Sequence, residues 1–393
     1  MFMFDGGIGQ IIYLIFLFIF IFFYSRIMVM QVMFKLERSA EMLEGLSKKG
    51  KNIVLKKIKK RPDKKIRDSV NQFLEFFMIE PIDLDPYGIV RKFEHLIDLE
   101  KDRFKYFVNQ LNPKANEEEK ANIMMGLSSA MSLHQIAKIV RHYVELIKNT
   151  KSYNLALVVQ MQIPLIERMA KGLLKGTEAL ANGWVVGDGL GPLVATQIID
   201  NSKTQKVDDE TLVCRKKYKN RDIIIIKAKG PGGRTGNIGR VLDKVGKKEK
   251  IAKIITIDAA AKLEGEKTGS IAEGVGVACG GIGVERAYIE NFAVKNKIPL
   301  DTIIVKMSQE EAIMPMREEI LEAVDKVIPL IDNAIKRTKQ KGKIIIIGVG
   351  NTSGIGNTKK EADKVKPQII KIAKKLKAIE EKEKKKRYRL FPF

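Results

Sequence analysis

Asp222-Ile-Ile-Ile-Ile-Lys-Ala-Lys-Gly-Pro-Gly-Gly-Arg-Thr-Gly-Asn-Ile-Gly-Arg-Val-Leu-Asp-Lys-Val245 is the stretch from which the fold can be read. Its isoleucines run on without polar alternation, which is how a strand covered on both faces reads. A glycine-rich turn, Gly230 to Gly236, follows, and from Asn237 to Val245 the apolar positions take helical spacing. Strand, turn and helix in that order make one unit of an α/β sheet. The same pattern recurs on either side. Strand-like runs are expected at Trp184–Val186, Thr211–Cys214, Ala252–Asp258, Thr302–Met307 and Lys343–Gly350, with helices at Gly191–Asp200, Val284–Asn296 and Glu310–Lys339. Residues 183–358 are therefore expected to form a three-layer α/β/α domain with a mostly parallel sheet, followed by a basic C-terminal helix and tail, 359–393.

Before Gly183 the pattern changes. From Asp68 to Asn182 apolar residues recur at three and four, as in Ile136, Ile139, Val140, Tyr143, Val144 and Ile147, with breakers at Pro81, Pro86, Pro113, Thr150–Tyr153 and Pro164. Four or five helices are expected over 68–182. Asn116 is placed to cap one of them, with Glu117, Glu118 and Glu119 in the first turn where the helix dipole favours anions. The three histidines, His95, His134 and His142, all lie here; their spacing suits helix packing better than a metal pair.

The N-terminal segment reads as a membrane anchor. Ile8 to Tyr24 is a run of 17 residues without a charge, within the roughly 17–25 that span a bilayer. Its leader is acidic and no small-residue cleavage site follows, so the segment is expected to be retained rather than cut as a signal peptide. Residues 1–34 thus read as a transmembrane helix with its juxtamembrane segment, and 35–67 as a basic linker. Basic residues gather only on the C-terminal side of the run, which by the positive-inside rule puts the N-terminus outside and the C-terminal domain in the cytoplasm of a single-pass cell-membrane protein.

The chain has 393 residues and a formal charge of +24, which raises the question of a polyanionic partner. The excess sits at the flanks: Lys35 to Arg67 holds 13 basic against 4 acidic residues, and Lys366 to the end 11 against 3. Next to a membrane such flanks would meet anionic head groups. No aromatic residues are interleaved for base stacking between Lys48 and Lys65, so nucleic acid is not the expected partner. The only cysteines, Cys214 and Cys279, have neither disulfide-framework nor zinc spacing.

In a sheet of this kind ligands gather at the carboxyl ends of the strands, so the loops there carry the candidate site. Gly187-Asp188-Gly189-Leu190-Gly191-Pro192 runs into a helix and places Asp188 near its N-terminus, as a cap or as a functional carboxylate. Gly232, Gly233, Arg234, Thr235 and Gly236 form a turn able to offer N–H groups to a phosphate, although neither a Walker loop nor a dinucleotide fingerprint is present. Asp258 ends the run Ile254–Asp258, again as a cap or a site residue. Glu273 opens the glycine-rich stretch to Gly283 that contains Cys279, and Gly350-Asn351 closes the run from Lys343. If Asp188 and Asp258 meet in one cleft, their repulsion raises one pKa and leaves an acid beside a base. With Glu273 the same oxygens could hold a divalent metal.

Taken in order, Gly187–Val194, Pro231–Gly236, Ile254–Ala260 and Gly274–Gly283 resemble motifs of the spore germination protease and its sporulation relatives, and more remotely those of the hydrogenase maturation proteases. The resemblance covers about residues 184–310 and implies a phosphorylase/hydrolase-like fold. It also implies that Asp188 and Asp258 are the catalytic pair of an atypical aspartic endopeptidase acting on a protein or peptide. The metal-binding histidine of the maturation proteases has no counterpart here. The Gly-x-Gly-Asn turn that opens the fold in those relatives appears instead at Gly348–Asn351, which implies a circular permutation with strand 343–349 set beside Asp188. The whole chain also resembles an uncharacterised archaeal family, domain of unknown function fifteen-twelve.

The expected function is a membrane-anchored, cytoplasmic-facing hydrolase of the aspartic peptidase type. Two alternatives stand beside it: a non-catalytic module binding a phosphate-bearing small molecule, and a membrane-bound scaffold.

Overall fold

The computed structural model describes residues 7–81, 88–280 and 283–390; the side chains of residues 7, 8, 21, 22, 25, 26, 383, 384 and 386–390 lie outside the description. The helical region opens with α1 (Gly7–Ile58), α2 (Lys64–Phe73), α3 (Ile89–Leu111), α4 (Glu117–Thr150) and α5 (Tyr153–Asn182). Asn116 caps α4 as its sequence suggests: its side chain accepts from the Glu119 N–H at 2.8 Å, and Glu119 accepts in return from the Asn116 N–H at 3.3 Å. Pro164 does not end a helix but lies inside α5. The missing N–H and ring clash, together about 3 kcal/mol, are outweighed by the rest of a 30-residue helix.

The N-terminal segment requires a correction. Among the described residues no helix is long and apolar enough to cross a membrane. Within α1, Val32, Leu36, Ala40 and Leu43 are buried at three- and four-residue intervals while charges occupy the other faces, the pattern of an ordinary packing helix. The expected transmembrane helix is therefore withdrawn. Residues 35–58 are likewise the second half of a continuous helix rather than a linker.

The chain divides into two compact units. The first, residues 1–49 and 132–171, is built from α1 and the adjoining parts of α4 and α5. There the Arg141 guanidinium bonds Glu44 at 2.6 Å and also pairs with Glu37, which accepts Lys148 at 2.8 Å. Ser39 donates to Glu167 at 2.8 Å, and His134 lies 3.2 Å from the Ser47 hydroxyl.

The second unit, residues 50–131 and 172–393, holds the α/β domain. After α5 come α6 (Leu190–Ile199), β1 (Thr204–Lys206), β2 (Thr211–Tyr218), β3 (Arg221–Ala228), α7 (Ile238–Gly246), β4 (Ile251–Ala261) and β5 (Ile271–Val275). They are followed by α8 (Val284–Lys295), β6 (Leu300–Met307), α9 (Gln309–Ile313), α10 (Glu318–Lys336), β7 (Lys343–Gly348) and α11 (Lys359–Leu390). The seven strands lie in the order β1-β2-β3-β7-β4-β6-β5. Ile223, Ile225, Ile344 and Ile346 face a core shared with α6, α10 and α11, while Ile224, Ile226, Ile345 and Ile347 face one shared with α7 and α8. Each buried isoleucine removes about 1.5–3 kcal/mol worth of apolar surface from water, and burial on both faces explains why these runs do not alternate.

The sheet is mixed, not mostly parallel. β3-β7-β4-β6 pair in parallel, but β1-β2, β2-β3 and β5-β6 are antiparallel. The β2-β3 hairpin closes through Lys219 and Asn220, both left-handed with φ of 49° and 62°, the hand that matches strand twist. The run Trp184–Val186 forms no strand and contributes a single bridge from Val186 to Pro315. Strand β7 lies at the middle of the sheet, between β3 and β4, so the turn after it opens directly onto the start of α6.

Candidate functional site

The start of α6 is pressed against the carboxyl ends of β4 and β7. A Cβ added to Gly191 would stand 2.2 Å from the Val349 carbonyl oxygen and 2.5 Å from that of Ile257; only glycine lets the helix come so near. Gly350, with φ of +131°, lies so close to the preceding turn that a Cβ there would meet the Asp188 carbonyl oxygen at 1.9 Å. These two approaches bring Asp188, in the single 3-10 turn Gly187–Gly189, to the strand end that carries Asp258.

Asp188 and Asp258 line one cleft of ≈ 290 Å³, together with Thr235, Gly236, Ile238, Arg240, Cys279, Glu285, Val349, Gly350 and, from α3, Glu94 and Lys101. Asp188 Oδ2 accepts the Asn351 N–H at 2.9 Å. Asp258 is 2 % exposed; its Oδ1 accepts the Ala259 N–H at 2.7 Å and its Oδ2 has no partner. Burial pushes the Asp258 carboxyl well above the ordinary carboxylate range, the negative charge of Asp188 pushes it farther, and the Ala259 N–H only partly opposes them. Asp188 is raised by burial against the one N–H from Asn351. Both carboxyls are thus raised, that of Asp258 well above its ordinary range.

Two other groups share the cleft. The Cys279 thiol is pushed up to about 12 by burial and then by Asp258, Glu285 and Asp188; it stays protonated and is no activated nucleophile. Glu285 caps the start of α7, accepting from the Gly239 N–H at 2.5 Å and the Arg240 N–H at 3.3 Å. Burial raises its pKa in spite of those donors and the Arg240 charge. Arg240 is held bidentate by Asp98 at 2.9 and 3.1 Å, which ties α3 to α7 along one wall.

Glu273 stands elsewhere. It lies on the exposed edge strand β5 and pairs with Arg337 at 2.6 Å, so the expected trio of Asp188, Asp258 and Glu273 is not assembled. Among the described residues no group of three or more His, Cys, Asp or Glu side chains is placed to hold a metal ion. Gly281 and Ile282, within the stretch that Glu273 opens, lie outside the described residues.

The turn after β3 already holds an anion, one of the protein's own. Glu118 of α4 accepts the Gly232 N–H at 2.6 Å and pairs with the Arg234 guanidinium, and Asn122 accepts the Gly233 N–H at 2.8 Å. Burial would raise Glu118, but Arg234, the Gly232 N–H and Lys229 together hold it below its usual range. Thr352 closes the turn from the other side, its hydroxyl lying 2.9–3.1 Å from the carbonyl oxygens of Lys229, Gly232 and Arg234 and donating its one proton among them. Of the donors expected for a phosphate, the Gly232 and Gly233 N–H groups and Arg234 are therefore engaged, and Thr235 and Gly236 reach the carboxylate cleft. Of the remaining glycines, Gly187 and Gly189 serve close packing: their Cβ positions would meet the Glu311 carbonyl oxygen at 2.1 Å and the Ile355 side chain at 2.7 Å.

Glu285 and the α3 residues Glu94 and Lys101 are the parts of the site that sequence reasoning misses. An acidic first turn just after a glycine-rich stretch is a local signal for Glu285. Nothing in the sequence around Glu94 or Lys101 points to β4.

Fold and cleft together define an α/β/α domain that gathers carboxylates at the carboxyl ends of its central strands. The chain belongs to the DUF1512 family: residues 10–183 match the protein of unknown function (DUF1512) N-terminal domain and residues 186–356 the domain of unknown function (DUF1512) C-terminal. No curated protein and no solved structure matches it.

Proposed function

We propose that the α/β domain is a hydrolase of the aspartic type, cleaving peptide bonds with Asp188 as base and Asp258 as acid. The observation that carries this reading is the buried Asp258 carboxyl, with one oxygen unpartnered, in the same cleft as a second carboxylate. Leaving such a group unsatisfied costs about 1–3 kcal/mol, and a protein selected for stability alone would not keep it. The motif resemblance to the germination protease supports the same pair.

Asp188 takes a proton from a water as its oxygen adds to the carbonyl carbon, and Asp258 gives its proton to the carbonyl oxygen. In the second half Asp188 returns its proton to the leaving nitrogen as the C–N bond breaks, while a hydroxyl of the intermediate reprotonates Asp258. Two bell-shaped limbs in the pH profile then belong to the pair and not to either residue.

The test is the full-length chain against an internally quenched peptide library, from acidic to neutral pH. Asp188→Asn and Asp258→Asn should each lower kcat/KM by roughly 10²–10⁴, with unchanged circular dichroism. A chain that cleaves nothing, or variants that cleave like the parent, would overturn the proposal.

A further inference from the structure

A second cavity, of ≈ 450 Å³, adjoins the carboxylate cleft and shares Lys101 and Thr235 with it. Its apolar part is Ala121, Met124 and Met125 of α4, and its rim carries Lys101, Lys105, Lys120 and Arg234 against Glu117, Asp209 and Glu210. The acidic side chains are already engaged. Glu210 pairs with Lys101 at 2.9 Å, Glu117 with Lys229 at 3.3 Å and Asp209 with Lys206 at 2.8 Å. Arg234 is taken by Glu118. The side-chain ammonium groups of Lys105 and Lys120, both half-buried residues, have no hydrogen-bond or ion-pair partner among the described residues. The cavity therefore has two ammonium groups without a contacting carboxylate over a methionine floor, Lys105 feeling only the longer-range field of Asp209.

We infer that this cavity seats an acidic side chain of the peptide whose backbone lies in the adjoining carboxylate cleft, with Lys105 and Lys120 receiving the charge and Met124 and Met125 an apolar neighbour. A carboxylate suits it better than a phosphate. Phosphate recognition draws on backbone N–H groups and the guanidinium fork, and here the Gly232 N–H and Arg234 are both consumed by Glu118. Two ammonium groups remain, which act as point charges without fixed geometry. Methionines adapt to many apolar shapes, so selectivity falls on the charge. The inference rests on the hydrolytic reading for the fate of the bound chain, but its binding step stands apart and can be measured without turnover.

The experiment uses the full-length chain carrying Asp258→Asn, titrated into short fluorescein-labelled leucine-rich peptides that differ only in bearing Glu or Gln at a central position. The Glu peptide should bind roughly tenfold more tightly, and the preference should shrink with added salt. Lys105→Ala with Lys120→Ala should erase it, and Lys105→Glu with Lys120→Glu should turn it toward a peptide bearing Lys. Equal binding of the Glu and Gln peptides, or a preference that survives both double variants, would overturn the inference. So would displacement of the Glu peptide by inorganic phosphate more readily than by acetate. If the preference holds and the parent chain cleaves no peptide, the hydrolytic reading fails alone; if cleavage occurs without the preference, this inference does.

Discussion

Two glycine-rich turns leave neighbouring central strands, β3 and β7, at the same edge of the sheet, and they differ in what has become of their polar groups. The turn Gly230–Gly236 offers N–H donors, and the protein fills those of Gly232 and Gly233 with Glu118 and Asn122, while the Thr352 hydroxyl lies against its carbonyl oxygens. The turn after β7 faces Asp188, next to Asp258, where one buried oxygen has nothing to accept. Glycine content alone marks both as close approaches of backbone. An unpartnered buried carboxyl oxygen distinguishes the second, and the proposed assignment of the site rests on that difference.

The contrast can be broken most forcefully at the close approach that creates it. Gly191→Ala puts a methyl against two backbone carbonyl oxygens, neither of which can swing aside as a side chain would. A loss of roughly 3 kcal/mol or more is expected, read as a lower denaturant midpoint, together with loss of any peptide binding in the cleft because Asp188 moves with α6. A near-normal midpoint would mean that the helix start is not held where these distances place it.

A smaller effect should convert the filled turn into an open one. Glu118→Ala removes the carboxylate from Gly232 and Arg234; the pair is only partly buried, so the cost is about 1–2 kcal/mol rather than the full price of breaking a buried ion pair. The variant should then gain thermal stability from added inorganic phosphate, while the parent does not. Phosphate stabilising both equally would show that the internal carboxylate does not occupy an anion site.

Much of the sheet was legible because isoleucine runs buried on both faces have no other reading. The strands β1 and β5 were not: Thr204–Lys206 and Ile271–Val275 lie at the edges with mostly unburied side chains, so no burial pattern is imposed on them, and the mixed pairing was lost along with them. The left-handed Lys219–Asn220 turn, which makes β2-β3 antiparallel, carries no Asn-Gly signal. Asp188 and Asp258 could be picked out because each sits in a local context, glycine before a helix and the end of an apolar run. Glu273 had a context of the same sort and was misplaced, since sequence cannot tell an edge strand from a central one. The cationic cavity was invisible, because Lys105 and Lys120 come from the helical region and gain meaning only when α3 and α4 meet the β3 turn.

The two smallest predictions separate the acid from its neighbour in the same cleft. In the unfolded chain Asp258 ionises near its ordinary value, about 4, whereas folded it keeps its proton well above that. Over the interval the folded state binds the extra proton, so stability falls as pH rises through it, and the contribution is wholly lost only above the folded value. Asp258→Asn abolishes the ionisation; it should stabilise the protein by about 1–2 kcal/mol at neutral pH and by little at a pH below 4, measured as paired melting curves. A parent whose stability rises over that interval would contradict the buried, protonated carboxyl. Cys279 tests the same environment by its inertness. Its thiol is pushed up to about 12, so it should react with iodoacetamide far more slowly than a free cysteine at neutral pH. Cys279→Ser should change peptide turnover by less than about twofold, since a change of a few tenths of a kcal/mol in barrier is all that such a swap at a bystander is expected to bring. Fast alkylation there would mean that the acidic cleft does not repel a developing thiolate, and the case for a proton held on Asp258 would weaken with it.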